Sequence, residues 1–182
     1  MQINNLVLIT GASQGIGRAI ATRVIQDGYR VINLDKKAPK NLLEGETYHF
    51  VDLMDPQAIE ELIPKITKQE PILRLVNNAG FIRPGALENT TLDDFEAVMA
   101  LNLRAPMLLA QQLLPHMRQA KFGRIVSIAS RAALGKEERT VYAASKAGLV
   151  GMTKTWALEM AKFGITVNAI GPGPIATELF TS

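Results

Sequence analysis

The chain has 182 residues and no cysteine, which is room for one domain with a packed core and leaves no disulfide, thiolate metal site or cysteine nucleophile. Hydrophobic residues make up 47% and charged residues 20%, the balance of an ordinary globular protein. The net charge is only +3, so the pI of 9.3 is a small imbalance, and without a Lys/Arg run or a basic, aromatic-rich tract the sequence argues against a nucleic-acid partner.

Met1-Gln2-Ile3-Asn4-Asn5 has no basic region ahead of an apolar stretch and does not read as a signal peptide. No apolar run reaches the roughly 18 residues of a membrane span, and a cysteine-free chain fits the cytoplasm. The first predicted strand is Leu6 to Thr10. Thr10-Gly11-Ala12-Ser13-Gln14-Gly15-Ile16-Gly17 follows it and opens a helix on which Ile16, Ile20 and Val24 share one face. Glycines allow a tight turn and close approach of phosphate, and a helix N-terminus offers unpaired N–H groups to a pyrophosphate. The spacing is G-x-x-x-G-x-G, not G-x-G-x-x-G, and a plain strand–helix turn is the alternative. The second strand, Arg30 to Leu34, ends at Asp35, 18 residues after Gly17. An acid there can accept hydrogen bonds from both adenosine ribose hydroxyls and repel a 2′-phosphate. Gln14 stands where a basic residue would welcome that phosphate, so NAD is preferred over NADP, although Lys36 can partly offset the repulsion. A solvated strand-end Asp is the alternative.

The third strand, Tyr48 to Val51, precedes Asp52-Leu53, a candidate adenine-edge contact. Ile59, Leu62, Ile63 and Ile66 mark the second helix. Leu73 to Val76 is the fourth strand, and Asn77-Asn78-Ala79-Gly80 follows, with small residues that let a cofactor approach the backbone. A helical stretch runs from Leu92 to Met117, with Pro106 and Pro115 as predicted kinks or breaks. It contains Asn102, whose amide in apolar surroundings needs partners. The fifth strand, Arg124 to Ala129, ends at Ser130; a helix spans about Tyr142 to Lys162; the sixth strand is Ile165 to Ile170. Nearly continuous apolar strands alternating with helices predict an α/β fold, a doubly wound parallel sheet in a single domain. The sixth strand would be a bare apolar edge, so a covering element is expected from outside these residues or from a partner.

Tyr142 and Lys146 are four apart on the predicted helix and therefore neighbours. A nearby ammonium favours the phenolate, which makes Tyr142 a usable acid or base. An ordinary surface pair is the alternative. Ser130 lies at a strand end, where such sheets open their ligand crevice. His49 and His116 lack metal-ligand spacing, so no metal is expected. Trp156, Met152 and Met160 read as core or subunit interface.

Thr10 to Gly17, Asn77 to Gly80, Asn102, Ser130, Tyr-Ala-Ala-Ser-Lys at Tyr142 to Lys146, and Gly-Pro-Gly-Pro-Ile-Ala-Thr at Gly171 to Thr177 together resemble the short-chain dehydrogenase/reductase family in order and spacing. The resemblance implies a Rossmann-fold oxidoreductase moving hydride between nicotinamide and a ketone or secondary alcohol. It implies Tyr142 as acid/base, Ser130 steadying the substrate oxygen, and Lys146 lowering the Tyr142 pKa and holding the nicotinamide ribose. Asn102 would hold a water in a proton relay, and Pro172, Gly173, Ile175 and Thr177 would line the nicotinamide. Bacterial 3-oxoacyl-[acyl-carrier-protein] reductases and sugar-acid or polyol dehydrogenases look most alike. The segment from Ser130 to Tyr142 carries a charged loop and is shorter than in many relatives. Family members also continue past the last motif with a substrate-covering segment and a seventh strand. Arg83 and Arg131 are candidates for pairing with an anionic substrate group, solvated arginines being the alternative. The family's packing habits imply a homodimer or homotetramer. A non-catalytic NAD sensor on the same fold is the competing function, although it has no need to keep Asn102, Ser130, Tyr142 and Lys146 together.

Overall fold

The computed structural model describes residues 3–176. Six parallel strands, β1 (Leu6–Thr10), β2 (Arg30–Asp35), β3 (Glu46–Phe50), β4 (Arg74–Asn77), β5 (Gly123–Ile128) and β6 (Ile165–Ile170), form one sheet in the order β3-β2-β1-β4-β5-β6. Helices α1 (Gly15–Gln26), α2 (Pro56–Thr67), α3 (Leu92–Met99), α4 (Ala105–Ala120) and α5 (Thr140–Met160) connect them. This is the doubly wound architecture the alternation predicts. Side chains of a strand alternate between faces, so Leu6 and Leu8 enter the larger core with Ile59, Ile63, Leu109 and Leu113, while Val7 and Ile9 pack with Ala21 beneath α1. Both faces of β1 are covered, which is why it reads as an unbroken apolar run.

The helix starts follow local rules. Asp55 caps α2, its Oδ1 accepting from Gln57 N at 2.9 Å, with Pro56 as the first helical residue. Thr91 and Asp94 form a reciprocal capping box on α3.

Two expectations change. Glu46 and Thr47 join β3 despite their polarity, because each finds a ladder partner, Val31 and Ile32. The stretch from Leu92 to Met117 is not one helix: a π-helical turn, Ala100–Arg104, separates α3 from α4. Pro106 follows this turn directly and cannot donate to the carbonyl of Asn102 four residues back, so the interruption falls where this proline predicts one. Pro115 stays within α4. At the sheet's far edge β6 pairs, among the described residues, only with β5, and Thr166, Asn168 and Ile170 are exposed. Among the described residues no helix is long and apolar enough to cross a membrane.

Candidate active site

Strand order reverses at β1, whose neighbours are β2 and β4, so a crevice opens beyond the carboxyl ends of these strands. The glycine-rich turn lies there. Gly11 and Gly15 have φ of +67° and +56°, a region that side chains disfavour. At Gly17 an added Cβ would stand 2.1 Å from Gly11 O and 2.4 Å from Asn78 Nδ2. Asn78 threads into this space, donating to Thr10 O at 2.9 Å and Gly11 O at 3.1 Å. Thr10 Oγ1 accepts from Asn78 N and Ala79 N, both at 2.9 Å. The Asn77–Gly80 turn and the glycine turn are thus one rigid unit. The Asn78 side chain serves that joint. The N-cap of α1, Gln14, makes no capping bond and the first turn has no acid, which leaves its amides open to an anion.

A cleft of about 300 Å³ adjoins the turn, lined by Gly11, Asp35, Asp52, Leu53, Ala79 and Arg83 among others. Asp35 Oδ2 accepts from Ser13 N at 3.1 Å and its Oδ1 from Lys37 N at 3.0 Å. Lys36 turns to Asp52, with Nζ 2.8 Å from Oδ2. That bond, with one from Met54 N, holds the Asp52 carboxyl below its ordinary range. The ammonium that would temper Asp35 is engaged elsewhere. A glycine turn with open amides, a strand-end acid and an adjacent cleft fit a dinucleotide.

On the other side of the switch point, Asn102 is buried in its π-turn. Its Oδ1 accepts from Phe81 N and its Nδ2 donates to Phe81 O, both at 3.1 Å, so the amide pairs with the Phe81 peptide like a ladder rung. Nδ2 also donates to Ser145 Oγ at 3.1 Å, and Ser145 Oγ donates to Tyr142 O at 2.8 Å. Single π-turns recur at functional sites. Lys146, one turn on from Tyr142, is 4% exposed. Its Nζ donates to Ile128 O at 2.7 Å and lies 5.7 Å from the centre of the Tyr142 ring. Burial pushes its pKa down to about 8. Gly80 marks where these groups converge: a Cβ there would stand 3.0 Å from Asn102 Oδ1 and 3.4 Å from Lys146 Nζ. Ser130 sits just past β5, its Oγ accepting from Ala132 N at 3.1 Å. Arg131 N donates to Pro172 O at 3.1 Å, which ties Pro172 to the Ser130 corner, while Ile175 is exposed. Thr177 lies outside the described residues.

A sequence profile described as short chain dehydrogenase matches residues 5–182. The chain belongs to this family. It is an oxidoreductase acting on CH–OH or carbonyl groups with NAD or NADP. It is 38% identical to a 3-oxoacyl-[acyl-carrier-protein] reductase of Thermotoga maritima, over 94% of this chain and 74% of that protein. It is 37% identical to a (2S)-[(R)-hydroxy(phenyl)methyl]succinyl-CoA dehydrogenase subunit of Thauera aromatica, over 97% and 75%. Among solved structures, 4-hydroxyisoleucine dehydrogenase complexed with NADH superposes with a TM-score of 0.90 at 34% identity, covering 96% of this chain and 78% of that one. ElxO with NADP bound gives 0.91 at 30%, covering 98% and 77%.

Several residues of this dehydrogenase's site belong to no motif singled out from the sequence. Asn33 is fully buried in β2 and accepts from Ala12 N at 3.1 Å. Glu46 and Arg18 meet beneath the same turn. Asn77, by contrast, opens the Asn77–Gly80 motif; it donates to Ser127 Oγ at 3.3 Å, while its Oδ1 is buried without a partner among the described residues. The signal for Asn33 was present: a polar residue among apolar strand neighbours, the same signal that singled out Asn102.

Proposed function

We propose that this dehydrogenase transfers hydride between NAD, in preference to NADP, and a ketone or secondary alcohol, with Tyr142 as the proton donor and acceptor. One observation carries the reading. A buried lysine with no carboxylate partner among the described residues stands beside Tyr142, and both it and Asn102 lie within 3.4 Å of where a Cβ on Gly80 would stand.

The turn from Gly11 through Ser13, Gln14, Gly15, Ile16 and Gly17 would hold the pyrophosphate, and Asp35 the adenosine ribose. Asp52 and Leu53 would flank the adenine, with Asn78, Ala79 and Gly80 forming the floor. Lys146 would hold the second ribose, and Pro172, Gly173, Ile175 and Thr177 the nicotinamide. When bound, the nicotinamide supplies the hydride acceptor or donor. Ser130 Oγ positions the substrate oxygen. In reduction the Tyr142 hydroxyl gives that oxygen its proton, and the Lys146 ammonium offsets the negative charge left on the ring oxygen. In oxidation the proton moves the other way. Asn102 fixes the Phe81 peptide and, through Ser145, the first turn of α5, so Tyr142 and Lys146 keep their spacing.

Tyr142→Phe should reduce turnover by at least about a thousandfold, within the range of a positioned acid/base, with NADH still bound. Activity within tenfold of wild type would remove Tyr142 from its role.

The substrate class proposed is that of 3-oxoacyl-[acyl-carrier-protein] reductases or sugar-acid and polyol dehydrogenases. Arg131 is better placed than Arg83 to meet an anionic group. Arg83 is 3.5 Å from Asp94 and lines the adenosine-side cleft, whereas Arg131 borders a groove with Ser130 and has no carboxylate partner among the described residues. Arg131→Ala should slow turnover of an anionic ketone more than that of its neutral analogue. Equal loss on both would leave the arginine a solvated one. A cytoplasmic homodimer or homotetramer completes the proposal, supported by Leu158, exposed on α5, and Phe95, exposed on α3.

A further inference from the structure

Beneath the glycine turn lies a charged cluster that the proton-transfer chemistry does not use. The Glu46 side chain is 0% exposed and that of Arg18 21%. Arg18 Nη1 lies 2.8 Å from Glu46 Oε1 and 2.7 Å from Oε2. Glu46 Oε1 also accepts from Asn33 Nδ2 at 2.9 Å, and Oε2 from Leu43 N at 3.0 Å. Both carboxylate oxygens are therefore doubly engaged. Arg18 reaches further, donating through Nη2 to Asn41 O and through Nη1 to Ala12 O. Asn33 continues the chain upward. Its Nδ2 also donates to Ser13 Oγ at 3.1 Å, and its Oδ1 accepts from Ala12 N at 3.1 Å. Ser13 Oγ in turn donates to Lys37 O at 2.6 Å, and Ser13 N to Asp35.

The topology explains why these groups meet. β3 pairs with β2, so Glu46, the first residue of β3, stands beside Val31 and next to the loop that returns from Asp35. Arg18 projects from the first turns of α1 onto the same place. One carboxylate thus ties together α1, β2, β3, the turn at Ala12–Ser13 and the 36–45 loop. Those last two segments border the edge of the cleft where an adenosine ribose would meet Asp35. A buried ion pair contributes little net stability relative to apolar residues of the same volume, so its geometry is the more telling property.

We infer that Glu46 is a specificity-determining positioning residue: it neutralises Arg18 and aligns Asn33, which fixes Ser13 and the 36–45 loop so that Asp35 alone sets the charge at the ribose 2′ position. This rests on the proposal that the cleft holds the adenosine end of the cofactor. In the native arrangement the Arg18 charge is cancelled below the turn. Without the Glu46 charge, a cation linked to Ser13 only through Ala12 O is left unbalanced beside the place of a 2′-phosphate.

Fluorescence titration with NADH and with NADPH tests this, on the intact chain. Glu46→Gln keeps the shape and removes the charge. Its NADH-over-NADPH affinity ratio should fall by roughly tenfold or more, the weight of one hydrogen-bonded charge, through weaker NADH and stronger NADPH binding. The double variant R18M/E46Q removes both charges. It should bind NADH several-fold more weakly, because the loop is released, with no gain for NADPH. Where E46Q alone does not fold by circular dichroism, the double variant decides: unchanged NADH affinity in it overturns the inference. So does an unchanged ratio in a folded E46Q whose only defect is a lower urea midpoint, since that is the mark of a purely structural pair. A wild-type chain binding neither dinucleotide would overturn the cofactor proposal itself, and this inference with it. Wild-type binding with unaltered variants would overturn this inference only.

Discussion

The two sides of the crevice are built on opposite electrostatic plans. On the adenosine side almost every charge has a counter-charge: Arg18 with Glu46, and Lys36 with Asp52. Asp35 accepts from one backbone amide at each oxygen, which fixes the carboxylate and leaves each oxygen able to accept again. On the catalytic side Lys146 is buried against a single carbonyl, and Asn77 Oδ1 has no partner among the described residues. Paired charges with fixed hydrogen bonds hold a shape and discriminate among ligands. An unpaired, desolvated charge destabilises the folded chain and is retained where chemistry uses it. The contrast supports the proposal of recognition on one side and proton transfer on the other, the two turns being joined by Thr10 and Asn78.

Replacing Lys146 would break the contrast most severely. Its pKa is about 8 in the folded chain, against an ordinary 10.5. Below about pH 8 both states are charged and the burial penalty weighs fully on the folded one. Between about 8 and 10.5 the folded state loses its proton first, the unfolded state holds more protons, and stability rises with pH. The shift corresponds to about 3 kcal/mol. Lys146→Met should therefore be more stable than wild type near pH 7, by about 2 kcal/mol once the orphaned Ile128 carbonyl is allowed for. It should also lose turnover by more than about a hundredfold. The stability advantage should vanish by about pH 10.5. Urea midpoints from pH 7 to 10 measure it, and parallel curves for the two chains would mean the lysine is not penalised by burial.

How far this contrast was legible in the sequence follows from the range of the interactions. The strands, the alternation that implies a doubly wound sheet, and the glycine turn rest on local periodicity and on spacing within one strand–turn–helix unit. The Tyr142–Lys146 pair lies within one helical turn. These were readable. The π-turn at Ala100–Arg104 was readable only as a break near Pro106, because its residues carry the same apolar pattern as a continuous helix. Glu46 was not, because its partners are Arg18, Asn33 and the Leu43 amide. Only the pairing of β3 with β2 brings two of these, remote in sequence, to it. Lys36 was misleading for a related reason. Its neighbour in sequence is Asp35, yet its partner in space is Asp52.

Asp35 is where the recognition side can be made to change its preference. Asp35→Ala should lower the NAD-over-NADP ratio by at least about tenfold, or ~1.4 kcal/mol, through lost ribose contacts and removed repulsion. Because Asp35 also receives Ser13 N and Lys37 N, Asp35→Asn is the sharper variant: it keeps an acceptor and removes the charge. A ratio that stays put in both, measured as kcat/KM with each dinucleotide, would separate Asp35 from cofactor choice.

The Lys36–Asp52 pair gives the smallest effect and tests whether paired charges on this side matter singly. Both side chains are substantially exposed, and such pairs are worth at most about 1 kcal/mol. Asp52→Asn frees Lys36 to meet a 2′-phosphate, so NADPH affinity should rise, by less than about fivefold, and the gain should shrink in high salt. The pH dependence carries the sign. Lys36 holds the Asp52 carboxyl below its ordinary range, so the bridge persists at neutral pH and through mild acid. It opens only as pH falls through that depressed value, where wild type should converge on the variant. A gain as large as that of Asp35→Asn would show that Lys36, not Asp35, governs the 2′ position, and the recognition side would then depend on a pair the solvent already half dissolves.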